Sequence, residues 1–119
     1  MNFILPHIPE RPEKPRNSGI TMMMDKGLSL RQAEDFLSAS AELTDIIKLG
    51  FGTSYLTNKI TEKIKLYQEA GMKVYVGGTL FEAFVVRNMF NDYMRLLDRL
   101  KLDCAEVSDG SITIKKKKK

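Results

Sequence analysis

Apolar and polar residues follow two alternating patterns once the chain has passed an irregular, proline-rich start. Short runs of β-branched, aromatic and other apolar residues end at charged residues or glycines, and a longer stretch with apolar residues at helical spacing follows each of the first three runs. The short runs predict buried β-strands, and the longer stretches predict amphipathic helices. The predicted strands are residues 19–25, 44–50, 72–78 and 102–109, and the predicted helices are residues 30–43, 58–69 and 79–101.

Two of the predicted helices have recognisable end signals, and the third is unusually long. Ser29 precedes the first helix and is a suitable N-cap residue, because its hydroxyl oxygen can accept a hydrogen bond from a free backbone N–H. Gly71 follows the second helix as the expected C′ residue. The apolar positions of residues 79–101 keep close to one stripe, which predicts one long helix.

Strands separated by helices indicate a parallel sheet built from βα repeats. Each crossover is far too long for a hairpin, so right-handed βαβ units are expected. The fold class is therefore α/β, either an open doubly wound sheet or part of a (β/α)8 barrel. Only residues 110–114 separate the fourth predicted strand from a lysine run. A parallel strand needs a paired neighbour and cover on both faces, so we expect the fold to be truncated after the fourth strand.

Composition divides the chain into three expected segments: a proline-rich extended segment over residues 1–18, a βα-repeat domain over residues 19–114 and a lysine tail over residues 115–119. The net charge is +4, but the tail holds five of the 19 basic residues, which leaves 14 basic and 15 acidic residues elsewhere. A nucleic-acid partner is not expected, because the body of the chain lacks a basic surface. The tail is interpreted as an artefact or an added tag, with anchoring to nucleic acid or acidic membranes as the alternative.

Cysteine content and hydropathy narrow the expected environment. The single cysteine, Cys104, cannot form an intrachain disulfide, and together with the single histidine, His7, it is a poor basis for a zinc site. No apolar run approaches membrane length, so we expect a cytoplasmic protein with no membrane partner. Cys104 is expected to be a small buried residue rather than a nucleophile, and Met22, Met23 and Met24 are expected in the core.

Candidate functional residues are expected at the carboxyl ends of the strands, where α/β folds bind their ligands. Side chains alternate between the two faces of a strand, and the more apolar face should contact the helices. This reasoning assigns Met22, Met24, Ile47, Leu49, Val74, Val76, Ala105 and Val107 to the helix side. The opposite face is expected to carry Thr21, Met23, Asp25, Ile46, Lys48, Tyr75, Gly77, Cys104, Glu106 and Ser108.

This second set contains two carboxylates and a lysine, which together can hold Mg2+ and neutralise a phosphorylated or enolic substrate. The alternative is a polar interior in which Lys48 pairs with Asp25 or Glu106 for structural reasons. Two glycine turns, residues 50–53 and 77–79, supply free N–H groups and a threonine hydroxyl before a helix, which favours an anion. Each turn taken alone is more often a plain turn than a phosphate site.

Four runs of sequence resemble the phosphosulfolactate synthase family in the same order and with similar spacing: GITMMMDKGLS, DIIKLGFGTSYL, KIKLYQEAGMKVYVGGTLFEAF and AEVSDGSITI. The resemblance covers nearly all of residues 15–114. It implies a (β/α)8 TIM barrel that adds sulfite to phosphoenolpyruvate with Mg2+ as cofactor, giving phosphosulfolactate for coenzyme M or sulfolactate synthesis. It also suggests a homo-oligomer for the full-length protein.

The resemblance places polar groups at Asp25, Lys48, Glu82, Glu106 and Asp109 and matches the glycine turns of the family. The expected catalytic residues are Lys48, Glu82 and Glu106. The expected substrate and phosphate residues are Gly52, Thr53, Gly78, Thr79 and Ser108. The expected metal ligands are Asp25, Glu106 and Asp109.

Family members are full barrels of roughly 250 residues, whereas this chain has 119 residues. The chain is therefore expected to be the first half of a barrel that is inactive or incomplete alone. The alternative is a non-catalytic remnant or a binding half-barrel that needs a partner to cover its strand edges.

Overall fold

The computed structural model describes residues 2–110 and residue 112. Three strands alternate with helices: β1 is Met22–Asp25, β2 is Ile46–Leu49 and β3 is Lys73–Val76. The helices are α1, Leu30–Ser40, α2, Ile60–Glu69, α3, Gly78–Val86, and α4, Phe90–Arg99, with 3-10 turns at Ala41–Leu43 and Thr53–Tyr55. The predicted lysine tail, residues 115–119, lies outside the described residues.

The strands form one parallel sheet in the order β1-β2-β3. Ile46 pairs with both Met22 and Lys73, and the register continues in step to the carboxyl ends of all three strands. Parallel neighbours joined by helical crossovers confirm the predicted α/β class with βα repeats. A sheet of this kind is the starting unit of a (β/α)8 barrel.

The predicted helix ends at Ser29 and Gly71 are confirmed. The Ser29 hydroxyl accepts a hydrogen bond from Gln32 N at 3.1 Å, and the Gln32 side chain accepts one from Ser29 N at 2.9 Å, which forms a reciprocal capping box. Gly71 has a φ of +87° after the end of α2, and Met72 N donates to Tyr67 O across the turn. This is the left-handed C′ position that glycine adopts without a steric cost.

The prediction of one long helix over residues 79–101 is wrong, because α3 ends before α4 begins. Asn88 adopts a φ of +57°, Asn88 N donates to Val85 O, and Met89 N donates to Phe84 O. These two bonds form a Schellman motif, which satisfies the last carbonyls of α3 and turns the chain. The apolar stripe continues across the break, so periodicity alone did not reveal it.

The predicted fourth strand does not form over residues 102–110, all of which the structure describes. Asp103 N donates to Val74 O at 3.2 Å, and the Asp103 carboxylate accepts a hydrogen bond from Val74 N at 3.0 Å. The side chain therefore takes the Val74 N–H that a backbone carbonyl of a paired strand would bind. Residues 104–109 follow as an irregular segment near β3.

One face of the sheet packs against the helices and is called the helix face: Asp25, Ile47, Leu49, Val74 and Val76. Its four apolar residues are at most 1% exposed, as predicted for β2 and β3. The register places Met24, Lys48 and Tyr75 side by side on the other face, called the open face. Burying each aliphatic side chain of the helix face contributes about 1.5–3 kcal/mol to stability.

The predicted orientation of β1 is wrong by one residue. Asp25 pairs with Leu49 in the register and is fully buried on the helix face, whereas Met22, predicted to lie under helices, is 46% exposed. The reversal follows from polar groups of α2, which compensate the charge of Asp25. Met23 packs against the core beside the helices instead of pointing to the open face.

Residues near the two ends of the described chain also differ from expectation or refine it. Cys104, predicted to be buried, is exposed, and Val107, predicted on the helix side, is 74% exposed. His7 is exposed, as expected. No helix within residues 2–110 is long and apolar enough to cross a membrane.

The proline-rich segment is anchored to the amino-terminal edge of the sheet by arginine. Arg16 and Arg11 form ion pairs with Asp45 at 2.8 and 3.3 Å, and Thr21 N also donates to the Asp45 carboxylate at 2.8 Å. Lys14 donates to Ala41 O at 2.7 Å. These contacts hold the segment at the edge opposite to the candidate functional residues.

Candidate active site

Lys48 and Glu106 meet at the carboxyl edge of the sheet although 58 residues separate them in sequence. Lys48 Nζ lies 3.0 Å from Glu106 Oε2 and 3.2 Å from Glu106 Oε1. Both side chains are partly exposed, at 19% and 29%. Glu106 is one of the two partners proposed for Lys48 from the sequence. The ion pair places an ammonium group and a carboxylate on the open face.

The Glu106 carboxylate also caps the start of α3. Gly78 N donates to Glu106 Oε1 at 3.2 Å, so one carboxylate oxygen accepts from both Gly78 and Lys48. Free N–H groups and the helix dipole favour a negative charge at this position. In this structure the anion bound at the 77–79 turn is the carboxylate of Glu106, which belongs to the chain itself.

The two glycines of this turn are needed because other atoms approach them closely. A Cβ atom on Gly77 would lie 3.0 Å from Lys48 Cε, and one on Gly78 would lie 2.7 Å from Glu106 Oε1 and collide with Ser108. Glycine leaves room for the Lys48 stem and for the segment that carries Glu106. This is a packing reason for GG that the sequence alone did not provide.

Ser108 makes a second attachment of this segment to α3. Its hydroxyl donates to Glu82 Oε2 at 2.7 Å, and Glu82 is only 5% exposed. Glu82 lies at the start of the second turn of α3. Glu106 and Ser108, which are two residues apart in the sequence, therefore both bind the amino-terminal half of this helix. The structure thus brings together five of the predicted site residues: Lys48, Gly78, Glu82, Glu106 and Ser108.

Tyr75 joins this group although it was not among the predicted catalytic or binding residues. It is the register partner of Lys48 on β3. Burial raises the pKa of the Tyr75 phenol; the charge of Lys48 opposes this rise and Glu106 adds to it. The alternation of residues in β3 puts Tyr75 on the opposite face from Val74 and Val76, and this was the sequence signal for its position. The Tyr75 phenol is protonated at neutral pH.

Asp25 lies on the other side of the sheet in a saturated buried cluster. Its Oδ1 accepts from Gly27 N and Leu28 N, both at 2.8 Å, and its Oδ2 accepts from Tyr67 Oη at 2.8 Å and Lys63 Nζ at 2.9 Å. Burial alone would raise the pKa of Asp25, but hydrogen bonds led by that from Lys63 outweigh it and hold the pKa below its usual value. The cluster fixes the turn between β1 and α1.

Lys63 and Tyr67 were not predicted to be partners of Asp25. Both are at most 1% exposed, and Lys63 Nζ also donates to Leu28 O at 2.7 Å. Burial and the neighbouring Asp25 raise the pKa of the Tyr67 phenol. Their i, i+4 spacing on the apolar face of α2 was the signal for an inward-facing lysine.

The predicted Mg2+ ligands do not come together. Asp25 does not fit a metal site, because both its oxygens are already used by four donors, one of them a lysine. Asp109 is exposed, and Glu106 is paired with Lys48. Among residues 2–110 and 112, no group of three or more histidine, cysteine, aspartate or glutamate residues is arranged to hold a metal ion.

The other predicted phosphate residues form a turn closed on itself or lie at the surface. Gly52 has a φ of +70°, and both the backbone N and the hydroxyl of Thr53 donate to Gly50 O, at 3.1 and 2.7 Å. Thr79 is exposed at the start of α3. In this structure Gly52, Thr53 and Thr79 are therefore separate from the hydrogen bonds that join Lys48, Glu106 and Gly78.

Comparison with protein families gives this arrangement a context. Residues 9–119 match the family model described as (2R)-phospho-3-sulfolactate synthase (ComA). The chain belongs to this family. The resemblance inferred from the sequence runs is confirmed, and the match includes every residue of the Lys48–Glu106 cluster.

Three curated relatives, each named phosphosulfolactate synthase, are similar to the chain. The Methanocaldococcus jannaschii protein is 38% identical over 98 residues, which are 81% of this chain and 39% of the relative. The Methanothermobacter thermautotrophicus protein is 35% identical over 113 residues, 93% of this chain and 44% of the relative. The Bacillus subtilis protein is 32% identical over 119 residues, 100% of this chain and 47% of the relative. The chain spans less than half the length of each.

Proposed function

We propose that this chain contributes the first βα repeats of an enzyme that adds sulfite to phosphoenolpyruvate and forms phosphosulfolactate. The observation that carries the proposal is the family match over residues 9–119. The geometry supports it at one point, where Lys48 and Glu106 converge at the carboxyl edge of a parallel sheet. This edge is where barrel enzymes position their reacting groups.

Lys48 is proposed to neutralise the negative charge of the phosphorylated substrate. Its ammonium group is fixed on the open face by Glu106, and its stem lies over Gly77, so it is directed toward the carboxyl end of the sheet. A positioned cation stabilises the charge that develops when sulfite adds to the double bond. Glu106 is proposed to hold Lys48 in place only until the substrate binds. Ser108 and the protonated phenol of Tyr75 supply hydrogen bonds beside it.

Mg2+ is proposed as the cofactor of the whole protein, with ligands other than Asp25. The whole protein is also proposed to be a homo-oligomer. Both proposals have simple tests, since a chelator should abolish the activity of a Mg2+-dependent enzyme and size-exclusion chromatography with light scattering gives the subunit number.

The alternative proposal is a non-catalytic half-barrel that binds a partner. One observation favours it: the described part of the sheet has three strands, with β1 and β3 at its edges. Met22, the first residue of β1, is 46% exposed, and Ile20, just before the strand, is 51% exposed. Open strand edges and exposed apolar residues are typical sites of pairing with another chain.

A hybrid protein separates the two proposals. Residues 9–110 replace the aligned part of the Bacillus subtilis relative, and phosphoenolpyruvate-dependent sulfite consumption is measured for the hybrid, the unmodified relative and the isolated 119-residue chain. Turnover by the hybrid, lost with Lys48→Met, supports the synthase proposal. A folded but inactive hybrid beside an active relative would overturn it. Turnover by the isolated chain would overturn the non-catalytic alternative.

A further inference from the structure

The same donors that suit an anionic substrate are occupied by Glu106. Lys48 Nζ contacts both oxygens of the Glu106 carboxylate, and Gly78 N donates to Oε1. An anion placed on these donors would lie within a few ångströms of Glu106, where like charges repel strongly outside bulk water. Glu106 and an incoming anion therefore cannot both be held by Lys48 and Gly78 in this arrangement.

We propose that Glu106 is an internal competitor that an anionic ligand must displace from Lys48 and from the amino terminus of α3. This inference rests on the proposed function, because it takes the Lys48 edge to be the site of a phosphorylated substrate. It adds a control element that the reaction itself does not require. The site is closed by its own carboxylate until a ligand with a stronger negative charge replaces it.

The attachment of Glu106 is of a kind that can be released. The ion pair is partly exposed, at 19% for Lys48 and 29% for Glu106, and exposed ion pairs are weak. Residues 104–109 have no regular secondary structure and follow the last backbone bond to β3 at Asp103. Within the described residues, the other contacts of this segment are the hydrogen bond from Ser108 to Glu82, a long contact of 4.0 Å from Cys104 Sγ to Val74 O, and the contact of Glu106 with the Tyr75 phenol. Release of Glu106 therefore breaks few contacts.

The test measures binding of inorganic phosphate to the 119-residue chain by NMR titration of the Gly78 amide resonance. Glu106→Gln keeps the shape and the acceptor oxygen but removes the competing charge. It should tighten the phosphate Kd by about two- to fivefold, the equivalent of one partly exposed ion pair. Glu42→Gln makes the same change in net charge at an exposed position in the turn that precedes β2, at the amino-terminal end of the strands. Its phosphate Kd should equal that of the unmodified chain.

Two further measurements make the result specific. Lys48→Met should abolish the response of Gly78, which separates this site from phosphate attracted by the lysines at residues 115–119. In the unmodified chain, saturation with phosphate should shift the side-chain carboxyl ¹³C resonance of Glu106 toward that of a solvated glutamate. This second readout does not depend on the folding of any variant.

The outcomes distinguish this inference from the proposed function. An equal or weaker Kd for Glu106→Gln, or a Glu106 resonance unmoved at saturation, overturns the competition. Absence of phosphate binding by both folded proteins overturns the competition and the phosphate role of this edge together. Tighter binding by Glu106→Gln with an inactive hybrid protein leaves the competition standing and removes the synthase function.

Discussion

Asp25 and Lys63 form an ion pair that is buried beneath the sheet, with 2.9 Å between Oδ2 and Nζ and at most 1% of either side chain exposed. Both charges also have hydrogen-bond partners in the turn after β1: Asp25 accepts from Gly27 N and Leu28 N, and Lys63 donates to Leu28 O. Excellent geometry and additional hydrogen bonds are what make a buried pair tolerable. The pair therefore joins α2 to the β1–α1 turn.

Removing one partner of this pair should be strongly destabilising. Lys63→Met leaves the Asp25 carboxylate buried without its cation, and we expect the free energy of unfolding to fall by about 3–5 kcal/mol. Lys65→Met is the matched control on the same helix, because the ion pair of Lys65 with Glu69 is exposed and long at 3.8 Å. That change should cost less than about 1 kcal/mol. Urea unfolding followed by circular dichroism measures both, and equal losses would contradict the structural role of Lys63.

The lowered pKa of Asp25 predicts a contribution to acid unfolding. A carboxylate whose pKa is lower in the folded state stabilises the fold above its unfolded pKa, about 4. That contribution is lost as the pH falls through the lower, folded pKa. The double variant Asp25→Asn, Lys63→Met lacks both charges, so its unfolding free energy should fall less steeply below pH 4 than that of the unmodified chain.

Urea unfolding at pH 7, 5, 4, 3 and 2.5 measures this difference. Asp45 has a lowered pKa too, because hydrogen bonds from Thr21 N and Arg16 outweigh the effect of burial, but it is present in both proteins and does not affect the comparison. Parallel pH profiles for the two proteins would show that Asp25 does not contribute.

The alternation of strand residues predicted two strands correctly and failed on the first for a physical reason. In β2 and β3 the more apolar face is the buried one, and Ile47, Leu49, Val74 and Val76 lie where expected. In β1 the same rule selected the methionines and placed Asp25 on the open face. The rule considers only hydropathy and takes no account of Lys63, which lies 38 residues later and compensates the buried charge of Asp25. It therefore assigned Asp25 to the wrong face.

The predictions of one long helix and of a fourth strand failed for a different reason. Each outcome depends on a single residue: Asn88, in the left-handed region, ends α3, and the Asp103 carboxylate accepts the hydrogen bond from Val74 N. Such local bonds leave the hydropathy pattern unchanged. Asparagine and aspartate are the residues most able to make them, because their short polar side chains compete with backbone partners.

The candidate site was predicted in part. The sequence placed Lys48 and Glu106 on one face at one edge of the sheet, and the structure joins them. It could not show that the Glu106 carboxylate would also bind Gly78 N, since residues 78 and 106 are brought together by the irregular segment after α4. Asp25 was predicted as a site residue because the family resemblance and the alternation of strand residues agreed. Both depend on the position of Asp25 in the sequence, and neither reports its contacts.

Gly78→Ala should release the segment that carries Glu106. The added methyl group would lie 2.7 Å from Glu106 Oε1 and collide with Ser108, so residues 106–108 must move away. Overpacking of this kind costs about 1–3 kcal/mol. Gly110→Ala is the control, because no atom of the described residues lies within 4 Å of the Cβ position, chain neighbours aside. Amide hydrogen exchange of the backbone N–H at position 78 should become faster only in Gly78→Ala. Unchanged exchange at that position would contradict the close contact with Glu106.

The left-handed conformation of Asn88 predicts how the break between α3 and α4 responds to substitution. Asn88→Gly should keep or raise the free energy of unfolding, because glycine adopts a φ of +57° without steric cost. Asn88→Val should lower it by about 1–2 kcal/mol, since a β-branched residue is strained in this region. Asn91→Val, at an exposed position inside α4, is the control and should change stability by less than about 0.5 kcal/mol. If Asn88→Val is as stable as Asn88→Gly in urea unfolding, the two helices are joined by a different turn.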